Sequence, residues 1–335
     1  MLVYVHGTDG VGWSIDSDRM ALIKAIKSLG HKTTNNILES DVIYSVWADS
    51  FISSKKMMIA SKLLKKPVIA NITNNITQEK INRYKKTINT WVVANSSQSQ
   101  KLSANGVKKN KIKTIRYYVD ENQFRPLKTP KEQLCLELKV PTSVLNKKII
   151  AHFQRDSEGN NLALPKKQKN PDLLIDILRK LPKSEYIVLL GGPRRHYIIS
   201  QLLKMGIDFH FLGDEKYHNE SLDDISYNKL PPSEINKAYN LSDISIVNSS
   251  SEGGPKAIKE CLFSCTPVIS TPVGWVPDIL PPKYIFTESR EAIHLIQNDS
   301  TYDYNSIIEV RDRLINDDSF EGFAKKIGEL FNEYD

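Results

Sequence analysis

Short β-branched and aromatic runs alternate with longer helical patterns along nearly the whole chain. The candidate strands are residues 2–6, 42–46, 67–71 and 90–94, and then 148–153, 186–190, 208–212, 244–248 and 267–270. Residues 17–29, 172–181, 195–205 and 255–264 carry apolar side chains three and four apart, the spacing of a helix with one buried face. Near-continuous apolar strands separated by helices predict parallel sheets with helices on both faces. The alternation breaks at "RPLKTPKEQLCLELKVPTSVLNK", which has three prolines and no clean strand. The sequence therefore predicts an α/β protein of two doubly wound, Rossmann-like domains. The first covers residues 1–128 and the second 148–317, with 129–147 as the linker. Residues 318–335, with Phe320, Phe323, Ile327, Leu330 and Phe331 on one side, are expected to form a helix that returns to the first domain. Ligands of such sheets bind at the carboxyl ends of the strands, so a cleft between the two sheets is the expected site.

Charge is spread unevenly. Residues 1–125 hold 20 Lys and Arg against 9 Asp and Glu, a net of +11, while the remainder carries a net of −4. A basic first half suits an anionic partner such as a membrane surface, or is simply a solvated lysine-rich face. Nucleic acid is a poor candidate, because no stacking-aromatic or recognition-helix pattern accompanies the charge. "MLVYVHGTDGVGW" has neither a basic lead nor a long apolar stretch, and no run of about 18 apolar residues occurs. A cytoplasmic protein, peripheral to a membrane at most, is the expectation. Cys261 and Cys265 lie four apart on one helix face without nearby ligands to complete a metal site, and with Cys135 read as buried thiols.

The stretch "SSSEGGPKAIKECLFSCTPVISTPVGWVPDIL", residues 249–280, carries the strongest chemical signal. A buried strand runs into a polar loop, and Pro255 suits the first turn of the following helix. Gly253 and Gly254 let backbone approach a ligand closely. Glu252 stands at the helix start and would repel a free phosphate, so an acid beside free amides fits hydroxyl groups better. Glu260 lies five residues past Pro255, about 7.5 Å along the helix axis. The two acids suit opposite ends of one hydroxyl-rich ligand. Spacing alone equally allows a dipole-favoured first-turn acid and a solvated side chain.

This stretch resembles the acid, seven residues, acid signature of the retaining GT-B glycosyltransferases of family 4. Two further stretches stand in that family's order. "VVANSSQSQKLSANGVKKNKIKTIRYYVDENQFRP" resembles the end of its first domain, with Val119, Asp120, Phe124 and Pro126 at the signature positions. "KIIAHFQRD…KNPDLLIDILRKLPKSEYIVLLGGPRR" resembles the opening of its nucleotide-sugar domain. The resemblance spans about residues 91–281. It implies GT-B architecture and transfer of a hexose from a UDP- or GDP-sugar to a glycan or lipid-linked acceptor, with no metal and no further cofactor. It implies that Glu252, with the amides of Gly253, Gly254 and the residues beside Pro255, meets the donor sugar, and that Glu260 holds the ribose. Arg155 and Lys169 would face the diphosphate, with Lys166 and Lys167 as other candidates for the lysine. Gly191, Gly192 and Arg194 match the family's glycine turn and next helix start. For Arg194 and Arg195 a surface role competes evenly with phosphate contact. "SYNKLPPSEINKAYNLSD" matches the segment that frames the base.

In the first domain, "HGTDGVGWSIDSDRMALIKAIKSLGHKT" resembles the family's opening strand, loop and helix, with Gly10 and Gly12 approaching the diphosphate. The chain departs from the family where a cleft histidine is common. It reads "VIANITNNIT", so Asn71, Thr73 or Asn74 would hydrogen-bond there but not carry a proton near neutral pH. His6 ends the first strand and reads as structural. The implied mechanism is front-face displacement, with the acceptor proton passing to the leaving phosphate. Two other readings share the architecture: a sugar-nucleotide epimerase and a non-catalytic glycan-binding or partner subunit.

Overall fold

The computed structural model describes residues 1–298 and 303–334. The chain divides into two compact units. The first comprises Met1–Tyr118, Glu252–Gly254 and Asn316–Asp335, and the second Val119–Ser251 and Pro255–Ile315. The last residue of the expected helix 318–335, Asp335, lies outside the described residues.

Six parallel strands build the sheet of the first unit: β1 (Leu2–His6), β2 (Lys32–Thr34), β3 (Val42–Ser45), β4 (Val68–Asn71), β5 (Thr90–Val93) and β6 (Ile112–Thr114). Their spatial order is β2-β1-β3-β4-β5-β6. The β3 and β5 side chains are buried throughout, as expected where helices cover both faces. Helix Ser14–Ser28 contributes Leu22, Ala25 and Ile26 to one core cluster, with Val3, Val5 and Tyr44 from the strands. The C-terminal helix Phe320–Phe331 closes that cluster with Phe323, Ile327, Leu330 and Phe331. Ser319 caps it by accepting a hydrogen bond from the Gly322 N–H, and Asp318 just before it pairs with Arg116 at 3.1 Å.

The second unit holds β7 (Lys148–His152), β8 (Ser157–Glu158), β9 (Asn161–Pro165), β10 (Tyr186–Gly191), β11 (Phe209–Leu212), β12 (Ile244–Val247) and β13 (Val268–Ser270). Five of these form a parallel sheet ordered β11-β10-β7-β12-β13, while β8 and β9 make an antiparallel hairpin. Residues 129–147 contain helix Lys131–Leu138 and a short turn Thr142–Asn146. Leu134 and Cys135 of that helix are buried in a cluster with Ile149, Ala238 and Leu241. This segment therefore contributes to the second unit's core through Leu134 and Cys135, while Leu136 on the opposite face is exposed. Both units thus have Rossmann-like parallel sheets. Among the described residues no helix is long and apolar enough to cross a membrane.

Candidate functional site

In the second sheet the chain runs from β7 to β10 and β11 on one side, then returns to β12 and β13 on the other. The loops leaving β7 and β12 consequently diverge, and open α/β sheets bind ligands at such a switch point. Gln154, Arg155 and Asp156 follow β7, and Asn248 to Ser251 follow β12. Gly191 ends β10 and Gly192 follows it. A Cβ at Gly191 would press on the Leu230 and Phe153 side chains, and Gly192, at φ +85°, is a position that favours glycine.

A cationic group gathers here. Burial lowers the pKa of Lys166, Glu158 opposes that at 3.7 Å, and the positive charges of Arg155, Lys169 and Arg194 lower it further. Lys167–Lys169 form a 3-10 turn whose carbonyls are held by the loop after β12. Ser250 donates to the Gln168 carbonyl through its N–H at 2.9 Å and to the Lys167 carbonyl through its hydroxyl at 3.1 Å. Gln168 Nε2 returns a bond to the Ser251 carbonyl at 3.0 Å. Arg194 is turned toward Asp223, with Nε and Nη2 donating to its two carboxylate oxygens at 3.0 and 2.7 Å. That fork lies across Gly159 of the hairpin, where any Cβ would overlap the guanidinium. Arg195 is completely buried and paired with Asp156 at 3.0 Å, which gives it a structural position.

Glu260 lies on helix Lys256–Phe263, one turn after Lys256, and accepts a hydrogen bond from the Tyr239 hydroxyl at 3.2 Å. Burial raises its pKa, with Lys256 and Tyr239 opposing. The Tyr239 ring packs against Phe153 at 5.0 Å, within the segment expected to frame a base. Pro255 caps the helix start. Glu252, Gly253 and Gly254 are grouped with the first unit. There Asn95 Nδ2 donates to the Gly253 carbonyl at 2.6 Å, and a Cβ at Gly253 would overlap the Thr73 carbonyl. Burial raises the pKa of Tyr117 well above its ordinary value, and the charges of Asp18 and Glu252 add to the shift.

In the first unit the loop after β1 is occupied by its own carboxylates. Asp9 Oδ1 accepts from the N–H groups of Val11 and Trp13 at 3.2 and 3.0 Å, and Oδ2 from those of Ile15 and Asp16 at 3.0 and 3.3 Å. Asp16 accepts from the Thr8 hydroxyl and from the N–H groups of Asp9 and Gly12, and the Thr8 bond leads in holding its pKa at about 2. Gly10 and Gly12, at φ +70° and +68°, make the turns that let these carboxylates fold back. A phosphate approaching this loop would meet two acids in place of free amides.

Beside the loop a groove of about 620 Å³ is lined by His6, Gly7, Thr8, Asp16, Arg19 and Ser50. His6 Nε2 lies 3.3 Å from the Ser50 hydroxyl. Burial lowers the His6 pKa, the Ser50 bond opposes, and Arg19 lowers it further. Asn71 ends β4 and faces the Tyr44 hydroxyl. The Thr73 and Asn74 carbonyls accept from Tyr117 and Gln98.

Sequence reasoning passed over His152, Asp156, Asn248, Asp9 and Asp16. Their shared signal is a polar residue within a few positions of a strand end or helix start, a pattern too common to single out without knowing which strands are neighbours.

No protein-family model matches the sequence, and no curated protein matches it. The fold does match solved structures. HepE of Anabaena, solved with UDP and glucose, aligns with a TM-score of 0.76 over 99% of both chains at 15% identity. A glycosyltransferase from Rickettsia africae aligns at 0.73 over 99% of this chain and 98% of its own, with 17% identity. Sucrose-phosphate synthase from Thermosynechococcus elongatus aligns at 0.64 over 93% of this chain and 77% of its own, at 13% identity. These likenesses establish the two-sheet fold of GT-B glycosyltransferases.

Proposed function

We propose that this chain is a retaining glycosyltransferase of the family 4 type, moving a hexose from a nucleotide-sugar donor to a hydroxyl of a glycan or lipid-linked acceptor. The observation that carries the reading is the gathering of Arg155, Lys166 and Lys169 at the second sheet's switch point. That is where a departing diphosphate needs positive charge. Support also comes from one fold neighbour, HepE, which was solved both with UDP and glucose and with UDP-glucose.

In this reading Arg155 and Lys169 meet the diphosphate, Lys166 reinforces them, and Glu260 takes the ribose hydroxyls. Glu252 takes hydroxyls of the donor sugar, with the amides of Gly253 and Gly254 and the turn at Pro255 beside it. Gly191 and Gly192 form the turn beside the donor where β10 ends, and Arg194 steadies the hairpin through Asp223. In the first unit Gly10 and Gly12 make the turns of a loop whose Asp9 and Asp16 suit hydroxyls better than phosphates.

The acceptor oxygen forms its bond to the anomeric carbon as the bond from that carbon to the diphosphate oxygen breaks on the same face. The acceptor proton passes to the leaving phosphate. Fixed positive charge stabilises the oxyanion as it develops, without reorganisation.

The test is a thermal-shift panel of UDP, GDP and their hexose conjugates on the wild type and on Glu260→Ala. A bound donor raises the wild-type melting temperature as RT ln(1 + [L]/Kd), and the variant's response is smaller. The responding donor is then turned over with candidate acceptors. A product that keeps the donor's anomeric configuration by NMR is expected. Silence toward every nucleotide would overturn the proposal, and an inverted product would overturn its retaining mechanism.

A further inference from the structure

Three neighbouring strands of the second sheet end in polar residues that touch one another. Arg195 follows β10, His152 ends β7 and Asn248 follows β12, and all three are essentially buried. Arg195 Nη2 lies 2.6 Å from His152 Nδ1, His152 Nε2 lies 2.8 Å from Asn248 Oδ1, and Asn248 Nδ2 lies 2.9 and 2.8 Å from the carbonyls of Lys169 and Asn170.

The chemistry of the groups gives this line one direction. A guanidinium only donates, so His152 Nδ1 must offer a lone pair and Nε2 must carry the proton. Nε2–H then donates to the Asn248 carbonyl oxygen. That fixes the amide with its NH₂ toward the turn, where both carbonyls accept. Asp156 anchors the far end: its Oδ2 pairs with Arg195 Nε at 3.0 Å, and its Oδ1 accepts from the Ile198 N–H at 3.0 Å. Asp156 also holds the near end of the same segment, because its carbonyl accepts from the Lys166 N–H at 2.6 Å.

We infer that Arg195, His152 and Asn248 form a one-way hydrogen-bond relay, ion-paired with Asp156 at its far end, that positions the Lys166–Lys169 turn for a nucleoside diphosphate, with His152 as the positioning residue. The inference rests on the proposed function, which places Lys169 against the diphosphate. Burial lowers the His152 pKa well below its ordinary value, and Arg195 adds to this, in keeping with the neutral tautomer that the geometry demands. Helix Pro171–Lys180 begins directly after Asn170, which has φ +50°. The two carbonyls held by Asn248 therefore set both the lysine turn and the start of that helix.

The experiment compares wild type, His152→Leu and His152→Gln. Affinities for UDP and for uridine are measured by calorimetry, with GDP and guanosine where those are the pair that binds. Melting temperatures without ligand are recorded for each protein. Glutamine accepts from Arg195 through its oxygen and donates to Asn248 through its nitrogen, so it preserves the direction of the relay; leucine does neither.

The expected result is a loss of about tenfold in diphosphate affinity for His152→Leu, the size of one misplaced charge-assisted hydrogen bond, with nucleoside affinity unchanged. His152→Gln should recover most of that loss even where its melting temperature stays low. Should His152→Leu fail to fold, Asn248→Ala breaks the relay one step further on and is read the same way. An unchanged diphosphate-to-nucleoside ratio in the broken variants, or a glutamine variant no better than leucine, overturns the relay and leaves the glycosyltransferase reading standing. A wild type that binds neither UDP nor GDP overturns both.

Discussion

Replacing Asp9 with alanine tests how the loop after β1 is held. The Asp9 carboxylate accepts four backbone N–H groups, two of them at the start of helix Ser14–Ser28, at 3.0 to 3.3 Å. It therefore serves as this helix's cap, in place of Trp13, whose side chain makes no capping bond. Loss of an acidic cap costs about 0.5–2 kcal/mol, and loss of a negative charge at a helix N-terminus about 0.3–1 kcal/mol. The two overlap, so the working figure is about 1–2 kcal/mol. For a unit of this size that corresponds to a fall of about 3–8 °C in melting temperature. The vacated amides then point into an anion-binding position. Inorganic phosphate should restore part of the loss in Asp9→Ala and do little to wild type, measured by thermal unfolding against chloride at matched ionic strength. Unfolding of the variant at the wild-type temperature would refute the capping role. Equal stabilisation of both proteins by phosphate would refute the idea that Asp9 fills the site.

The raised pKa of Glu260 gives a pH-dependent expectation. The folded chain holds this proton after the unfolded chain has lost it, so stability is full below the ordinary carboxylate pKa and falls as pH rises through the folded value. Glu260→Gln should therefore melt higher than wild type at pH 7.5, with the gap shrinking toward pH 4, while its response to nucleotide falls. A gap that does not narrow on acidification would remove the electrostatic explanation. The expected contact of the basic first half of the chain with an anionic membrane can be tested on one helix. Helix Lys55–Leu63 exposes Ile59 and Leu63 among Lys55, Lys56 and Lys62. Vesicles containing phosphatidylglycerol should co-float with the wild type, vesicles of phosphatidylcholine should not, and Ile59→Ser with Leu63→Ser should abolish the difference. Equal flotation of the double variant would exclude this helix as the contact.

Much of the fold was legible because parallel strands buried on both faces leave continuous apolar runs. "VIYSV" and "ISIVN" declared β3 and β12 within a residue of their observed ends. The edge strands β2 and β6 were not legible, since Lys32–Thr34 and Ile112–Thr114 are three residues long and carry lysine. The β8–β9 hairpin was not legible either. Its first strand has two residues, and the antiparallel pairing is held across a bulge. Residues 129–147 read as a connection because two prolines bracket the helix Lys131–Leu138, whose Leu134 and Cys135 nevertheless reach the core.

The candidate site divides along the same line. Glycines at strand ends, an acid beside a helix start and lysines before a helix are features of local chemistry, so Gly191, Glu260 and Lys169 could be singled out in one dimension. Which carboxylate or imidazole each neighbouring arginine meets could not. Arg194 and Arg195 are adjacent in sequence, yet Asp223 takes one and Asp156 with His152 takes the other. The sequence by itself determined the layering and the residues with the right chemistry, because burial periodicity and backbone permissiveness are local. Only the tertiary structure decided their partners, because hydrogen bonds among β10, β7 and β12 join residues about 40 to 95 positions apart.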